Sequence, residues 1–161
     1  MMISLDANIF IYANISGEKI KNKKKREEWI QLHKKADVIY TDMLKGKHIV
    51  LIPSVIVAEV CAVISRMTNS EEEGMKAANE IQQYCIVIYE SASIFEELLP
   101  LIAKVKGSGI DSILASVAVT EVTTLVTNDR KLFNLLEKSQ LELDLRLLAG
   151  MNINEIKSWL G

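Results

Sequence analysis

The sequence predicts an α/β fold built on a largely parallel sheet, and three observations carry that reading. Short apolar runs rich in β-branched residues recur at 2–5, 48–53, 85–89 and 124–127. Each leads into a longer segment whose apolar residues repeat at helical spacing. The runs are apolar without alternation, as strands covered by helices on both faces must be.

The elements follow in order. MISL, Met2 to Leu5, is a strand, and the next stretch, NIFIYA, suits either a helical turn or an extended continuation. From Lys24 to Lys45, Trp29, Leu32, Ala36, Ile39, Tyr40 and Met43 share a helical face, and Gly46 ends the pattern. HIVLIP is a strand; Pro53 sets the turn and Ser54 is placed to cap a helix running to about Met67. Ser70 and Glu73 have capping-box spacing for a helix that ends near Tyr84. Cys85 to Tyr89 reads as a strand, and ASIFEELLPLIAKVK as a helix with an irregularity at Pro100. Gly107-Ser108-Gly109 resets the backbone before a helix from Asp111 to about Glu121. Strand TLVT passes into a helix from Asp129 to about Lys138, with Asn128 or Asp129 as its cap. LELDLRLL alternates Leu with polar residues and fits an edge strand, although Leu and Glu also favour helix. A terminal helix packs through Ile153, Ile156 and Trp159.

A chain of 161 residues is enough for one domain, 1–161, whose core needs neither disulfides nor a structural metal. Cys61 and Cys85 lack paired-ligand spacing and lie in apolar surroundings, which predicts two buried thiols in an intracellular, cytoplasmic protein. The opening MMISLDANIFIYA has no basic leader region, and no uncharged apolar run approaches the ~20 residues of a membrane span. A net charge of −2 neither demands nor excludes a polyanionic partner, because binding follows local charge. The conspicuous local patch is KIKNKKKREE, Lys19 to Glu28, which either flanks a nucleic-acid backbone or is a solvated lead into a helix.

Four acids stand out from their neighbours. Asp6 and Asp129 each follow a strand, and parallel sheets gather ligands beyond the carboxyl ends of their strands, so the two can converge. Glu59 lies in SVIVAEVCAVI, apolar on nearly every side, and needs a compensating partner: Lys, Arg or a metal ion. Asp111 is the only charged residue of GSGIDSILASVAVT and serves either the helix dipole or a ligand. Acids gathered without bases repel one another and lose hydration unless cations join them. Oxygen-only donors suit Mg²⁺ or Mn²⁺. Metal-free, such a cluster has at least one carboxyl pKa raised. His33 and His48 lack zinc-site spacing; the first reads as a partly exposed helix residue, the second as a turn or packing residue.

With these residues in view, the chain resembles the PIN domain family, of the small prokaryotic type found in VapC-like toxins. SLDANIFIYA resembles the family's first motif, matching Asp6 to its first metal-binding acid and Asn8 to its common Asn or Ser. PSVIVAEVCAVI matches Glu59 to the second acid and IDSILASVAV matches Asp111 to the third. LVTNDRKLF matches Asp129 to the fourth acidic position and Thr127 to the hydroxyl position. The departures are the Gly107-Ser108-Gly109 approach, which adds flexibility before Asp111, and the tail after Phe133.

The resemblance implies a three-layer α/β/α sandwich and metal-dependent hydrolysis of phosphodiester bonds, usually in RNA. It also implies a homodimer and an antitoxin protein as partner. In that reading Asp6, Glu59, Asp111 and Asp129 hold one or two Mg²⁺ or Mn²⁺ ions, with Asp6 and Asp111 as direct ligands. Asn8 and Thr127 orient the carboxylates; otherwise Asn8 closes an Asx-turn and Thr127 fills a strand. Arg130 contacts phosphate or solvent and stays outside the catalytic set.

Other hydrolase classes lack their residues. A haloacid-dehalogenase-type phosphatase needs Asp-x-Asp where Asp6-Ala7-Asn8 stands. Neither a G-x-x-x-x-G-K-[ST] loop nor a G-x-G-x-x-G fingerprint occurs, and no Ser-His-Asp arrangement is supported. The competing expectation is a non-catalytic PIN-like module that binds nucleic acid or protein.

Overall fold

The computed structural model describes residues 1–121 and 123–161. Its strands are β1 (Met2–Leu5), β2 (Ile49–Pro53), β3 (Ile86–Ile88), β4 (Thr124–Thr127) and β5 (Asp144–Leu147). They form one five-stranded sheet in the order β3-β2-β1-β4-β5, and every neighbouring pair is parallel. Helices α1 (Ala7–Asn14), α2 (Lys23–Leu44), α3 (Ser54–Thr68) and α4 (Glu71–Tyr84) precede β3. Helices α5 (Ala92–Val105), α6 (Gly109–Thr120), α7 (Arg130–Lys138) and α8 (Ile153–Leu160) complete the three-layer α/β/α sandwich.

Strand alternation divides the core. Ile3, Leu5, Val50 and Ile52 point into the larger cluster with Ile9, Phe10, Ile39 and Met43 of α1 and α2. Met2, Leu51 and Ile88 point the other way, against Leu98 of α5 and Val117 of α6. Each buried Ile or Leu contributes ~1.5–3 kcal/mol, so this two-sided burial is what holds the sheet between its helices. Ser4 survives in the interior because its Oγ donates to Leu51 O at 2.8 Å and meets Thr123 Oγ1 at 2.7 Å.

The chain builds β1, β2 and β3 in one direction and then crosses back to place β4 on the other side of β1. The order thus reverses between β1 and β4, and it is beyond the carboxyl ends of such a strand pair that open parallel sheets form their ligand crevice. Asp6 and Asn128 are the residues that leave those two strands.

Several local expectations resolve here. NIFIYA is helical, because Ile9, Phe10 and Ile11 are buried together on the core side of α1. Ser54 begins α3 without capping it; its Oγ donates to Glu90 Oε2 instead. Ser70 Oγ accepts from Glu73 N at 3.3 Å, the first half of the anticipated box. Pro100 lies inside α5, which continues through it. LELDLRLL supplies the edge strand β5, and α8 buries Ile156 and Leu160 while Ile153 and Trp159 are half-buried.

The thiols depart from expectation. Both are free and only half-buried, Cys61 beside Met75 and Cys85 beside Met43, because each sits at the margin of a helix interface. Burial still pushes the Cys85 thiol up to about 12. His33 is half-buried with Nδ1 2.7 Å from Tyr12 O, and His48 is 8% exposed at the start of β2. Among the described residues, no helix is long and apolar enough to cross a membrane.

Candidate metal centre

Asp6 leaves β1 in an extended conformation just before α1, which places its carboxylate at the mouth of the crevice, 6% exposed. Two side chains hold it there. Thr127 Oγ1 donates to Asp6 Oδ2 at 2.6 Å, and Asn8 Nδ2 donates to the same oxygen at 2.7 Å. The two donors come from opposite sides of the crevice, Thr127 from the end of β4 and Asn8 from the first turn of α1. Asn8 is no isolated Asx-turn: its Oδ1 accepts from Asn128 N at 3.0 Å, joining α1 to the exit of β4.

Glu59 and Asp111 approach from two helices. Glu59 sits in the second turn of α3, half-buried, and α4 packs tightly against that helix at Gly74. A Cβ at Gly74 would fall 2.5 Å from Cys61 O and 1.9 Å from Ser65 Oγ, so the small residue permits this close approach. Asp111 occupies the first turn of α6, where Ser108 Oγ accepts its backbone N–H at 3.2 Å. Gly107 N donates to Ser112 Oγ at 3.1 Å. Two hydrogen bonds thus fasten the approach that its glycines alone would leave loose.

The electrostatics tie these three acids together. Burial pushes the Asp6 carboxyl up to about 6, the hydrogen bond from Thr127 opposes this, and the charges of Asp111 and Glu59 add to the rise. Glu59 is raised as well, first by burial and then by repulsion from Asp111. Among the described residues, none of the three carboxylates is in an ion pair with Lys, Arg or His.

Asp129 behaves differently. It is exposed and caps α7, with Oδ1 accepting from Lys131 N at 2.7 Å and Leu132 N at 3.1 Å. Its backbone N–H donates to Thr127 Oγ1 at 2.9 Å, so the same hydroxyl that holds Asp6 also holds the turn carrying Asp129. The leading causes of the Asp6 and Glu59 shifts are burial and the charges of Asp111 and Glu59, not that of Asp129. Arg130 is exposed at the start of α7.

The donor chemistry fits a hard divalent cation: carboxylate oxygens only, without a protein counter-charge. Among the described residues, no three His, Cys, Asp or Glu side chains stand close enough together to enclose an ion. Mg²⁺ does not demand such an enclosure, since it commonly keeps several waters and takes one or two carboxylates. The three carboxylates therefore form no closed cage among the described residues.

Asn128 is the residue that sequence reasoning undervalued. Beyond its bond to Asn8, its Oδ1 accepts from Ala149 N at 2.9 Å and its Nδ2 donates to Tyr12 Oη at 3.4 Å. It fastens the exit of β4 to α1 and to the turn after β5. Its position beside a capping Asp was visible in the sequence; its partners, from distant segments, were not.

Comparison with known proteins agrees with this architecture. Among eleven matching chains of solved structure is one from the crystal structure of VapBC2 from Rickettsia felis bound to a DNA fragment from their promoter. The TM-score is 0.58 at 20% identity, covering 91% of this chain and 98% of that one. This likeness concerns the fold. Comparison with curated protein sequences finds no match. The model of the PIN domain, however, matches residues 3–138, from within β1 to the end of α7 and across all four acidic positions, and the chain belongs to the PIN domain family.

Proposed function

We propose that this chain is a metal-dependent endoribonuclease, one domain over 1–161, acting as the toxin of a toxin–antitoxin pair in the cytoplasm. The observation that carries the reading is that a carboxylate held at the carboxyl end of the sheet by Thr127 and Asn8, Asp6, feels the charges of Asp111 and Glu59 with no cationic partner among the described residues. Membership of the PIN domain family supports the same chemistry. The likeness to a VapBC2 chain supports an antitoxin partner, and the homodimer stays part of the proposal.

Asp6 and Asp111 are the direct ligands of a Mg²⁺ or Mn²⁺ ion, and Glu59 completes the set or positions a water. A bound ion supplies Lewis acidity toward water and offsets negative charge on the phosphoryl oxygens. Thr127 and Asn8 both load Asp6 Oδ2, which fixes the carboxylate plane and leaves Oδ1 without a side-chain donor among the described residues. Asp129 spends Oδ1 on its helix cap and directs Oδ2, which takes no donor among the described residues, toward a water or a second ion. Asn128 carries no proton in this scheme; it keeps Asn8, and through it Asp6, in register with β4.

The test is cleavage of single-stranded, hairpin and duplex RNA and DNA with Mg²⁺, with Mn²⁺ and with chelator, alongside Asp6→Asn. Cleavage of RNA that needs the metal and vanishes in the variant upholds the reading. A second reading, a non-catalytic PIN-like module binding nucleic acid or protein, draws on the absence of an enclosing ligand group among the described residues. It predicts binding without product in a folded protein that takes up metal.

A further inference from the structure

We propose that Lys21, Lys24, Lys25 and their neighbours at the start of α2 are a docking site for the phosphate backbone of single-stranded RNA leading to the acidic crevice. The proposal rests on the ribonuclease reading and names where its substrate is held. Six of the nineteen basic residues fall between Lys19 and Arg26, with no acid among them. Although Glu18, Glu27 and Glu28 flank the run, among the described residues only Lys23 comes within ion-pair distance of a carboxylate, the exposed Glu27 at 4.0 Å. Helix stability does not account for them: the first turn of α2 holds no acid, and positive charge there opposes the helix dipole. A polyanion is the partner that would turn this repulsion into attraction.

The fold brings this patch to the crevice side. Lys35 Nζ donates to Leu148 O and Ala149 O, just past the carboxyl end of β5, whereas α2 ends near the amino end of β2. At ~1.5 Å per residue, the part of α2 before Lys35 extends roughly 18 Å from that sheet edge. A chain of side chains spans the interval. Asn128, bonded to Asn8 beside Asp6, donates to Tyr12 Oη, and the Tyr12 ring lies 4.6 Å from that of Trp29. Trp29 follows Lys25 by one helical turn, on the same side of α2.

The patch is also held firmly. Trp29 Nε1 donates to Ile15 O at 2.7 Å, and Arg26 Nη1 donates to Ile20 O at 3.3 Å. Gly17, at φ +82, closes over the indole so tightly that a Cβ would lie 2.2 Å from Trp29 Cδ1. Both rings are half-buried, so part of each stays accessible beside the lysines. Lysines for phosphates beside aromatic rings for bases is the combination that single strands bind.

The experiment measures binding of a fluorescent single-stranded RNA to full-length Asp6→Asn protein in chelator, across a salt series. In that background, Lys21→Gln/Lys24→Gln/Lys25→Gln is expected to weaken binding at least tenfold at low salt. Its slope of log K against log salt should become shallower by about 2, at ~0.7 per lost phosphate contact. Lys-to-Arg at the same positions should keep the slope, as should Lys45→Gln/Lys157→Gln at the other end of α2, by the amino end of the sheet. With Trp159→Phe leaving Trp29 as the one tryptophan, RNA should perturb its fluorescence. No RNA binding, or an unchanged slope in the Gln variant, overturns the proposal. Loss of binding to an acidic peptide but not to RNA in that variant overturns it too, in favour of a protein partner. Because cleavage plays no part in this readout, failure of the ribonuclease reading registers separately, in the metal assay.

Discussion

The two ends of the sheet treat buried charge in opposite ways. At the amino end, Asp42 meets Lys47 at 3.0 Å and stands 3.8 Å from His48, so its carboxylate has a cation beside it. At the carboxyl end, Asp6, Glu59 and Asp111 repel one another with no ion pair among the described residues. The first arrangement serves the fold by itself. The second raises the energy of the isolated protein and makes sense as a place kept for a cation, which is why the proposed chemistry is assigned to that end.

The largest expected effect separates the two ends by activity. Asp6→Asn should lower metal-dependent RNA cleavage by about 10³-fold, equivalent to ~4 kcal/mol of barrier. Asp42→Asn should leave it within about twofold. Equal losses in both variants, measured on one labelled substrate, would erase the distinction.

The next effect is on stability without metal. Asp6 has an ordinary value of 3.8 and a folded value of about 6, so folding favours its protonated form. Its contribution is fully present below pH 3.8 and is lost as pH rises through about 6. In chelator at pH 8, Asp6→Asn should therefore be more stable than the parent by about 3 kcal/mol, a gain that vanishes near pH 3.5. Urea unfolding at the two pH values measures this. Added Mg²⁺ should stabilise the parent and not the variant; a stabilisation of both would detach the ion from Asp6.

A smaller effect tests how Asp6 is held. Thr127→Val keeps the shape of a buried strand residue but removes the donor to Asp6 and the acceptor for Asp129 N. It should destabilise the protein by ~1–3 kcal/mol and move the Asp6 pKa further up, with Thr127→Ser largely restoring both. NMR titration of the Asp6 carboxyl carbon reads the shift directly.

The smallest effect lies at the opposite end and has the opposite sign. His48 is held below its ordinary 6.5, chiefly by burial, with the Asp42 charge opposing. A depressed histidine contributes stability that is present above pH 6.5 and is lost as pH falls through its folded value. His48→Gln should flatten the decline of stability below pH 6.5 and leave the Asp6-dependent change intact. If one substitution altered both, the two ends would be coupled through the sheet.

How much was legible beforehand depends on the range of the interaction. The helix from Lys23 to Leu44 and the strands β2 and β4 follow from local periodicity and were placed within a residue or so. Glu59 and Asp111 were visible as charges in apolar surroundings, because burying a carboxylate is unfavourable wherever the chain takes it, and Asp6 as an acid leaving a strand of a parallel sheet. Ser54 misled because its local position fits a cap, whereas Glu90, 36 residues away, provides a stronger acceptor for its hydroxyl. Cys61 and Cys85 misled because apolar neighbours in sequence do not say which side of a helix stays at the margin of the core.

By itself, then, the sequence determined the alternation of strands and helices, the acidic identities and their order in the PIN domain pattern. Local backbone preference and hydrophobic periodicity are enough for that. Only the tertiary structure decided that Asp6, Glu59 and Asp111 share one field while Asp129 turns to cap α7. It also decided that Thr127, 121 residues from Asp6, holds that carboxylate, and that Asn128 ties α1 to the exit of β4. Desolvation, repulsion and hydrogen bonding depend on distances in space, and those distances exist only once the parallel sheet has brought β1 and β4 side by side.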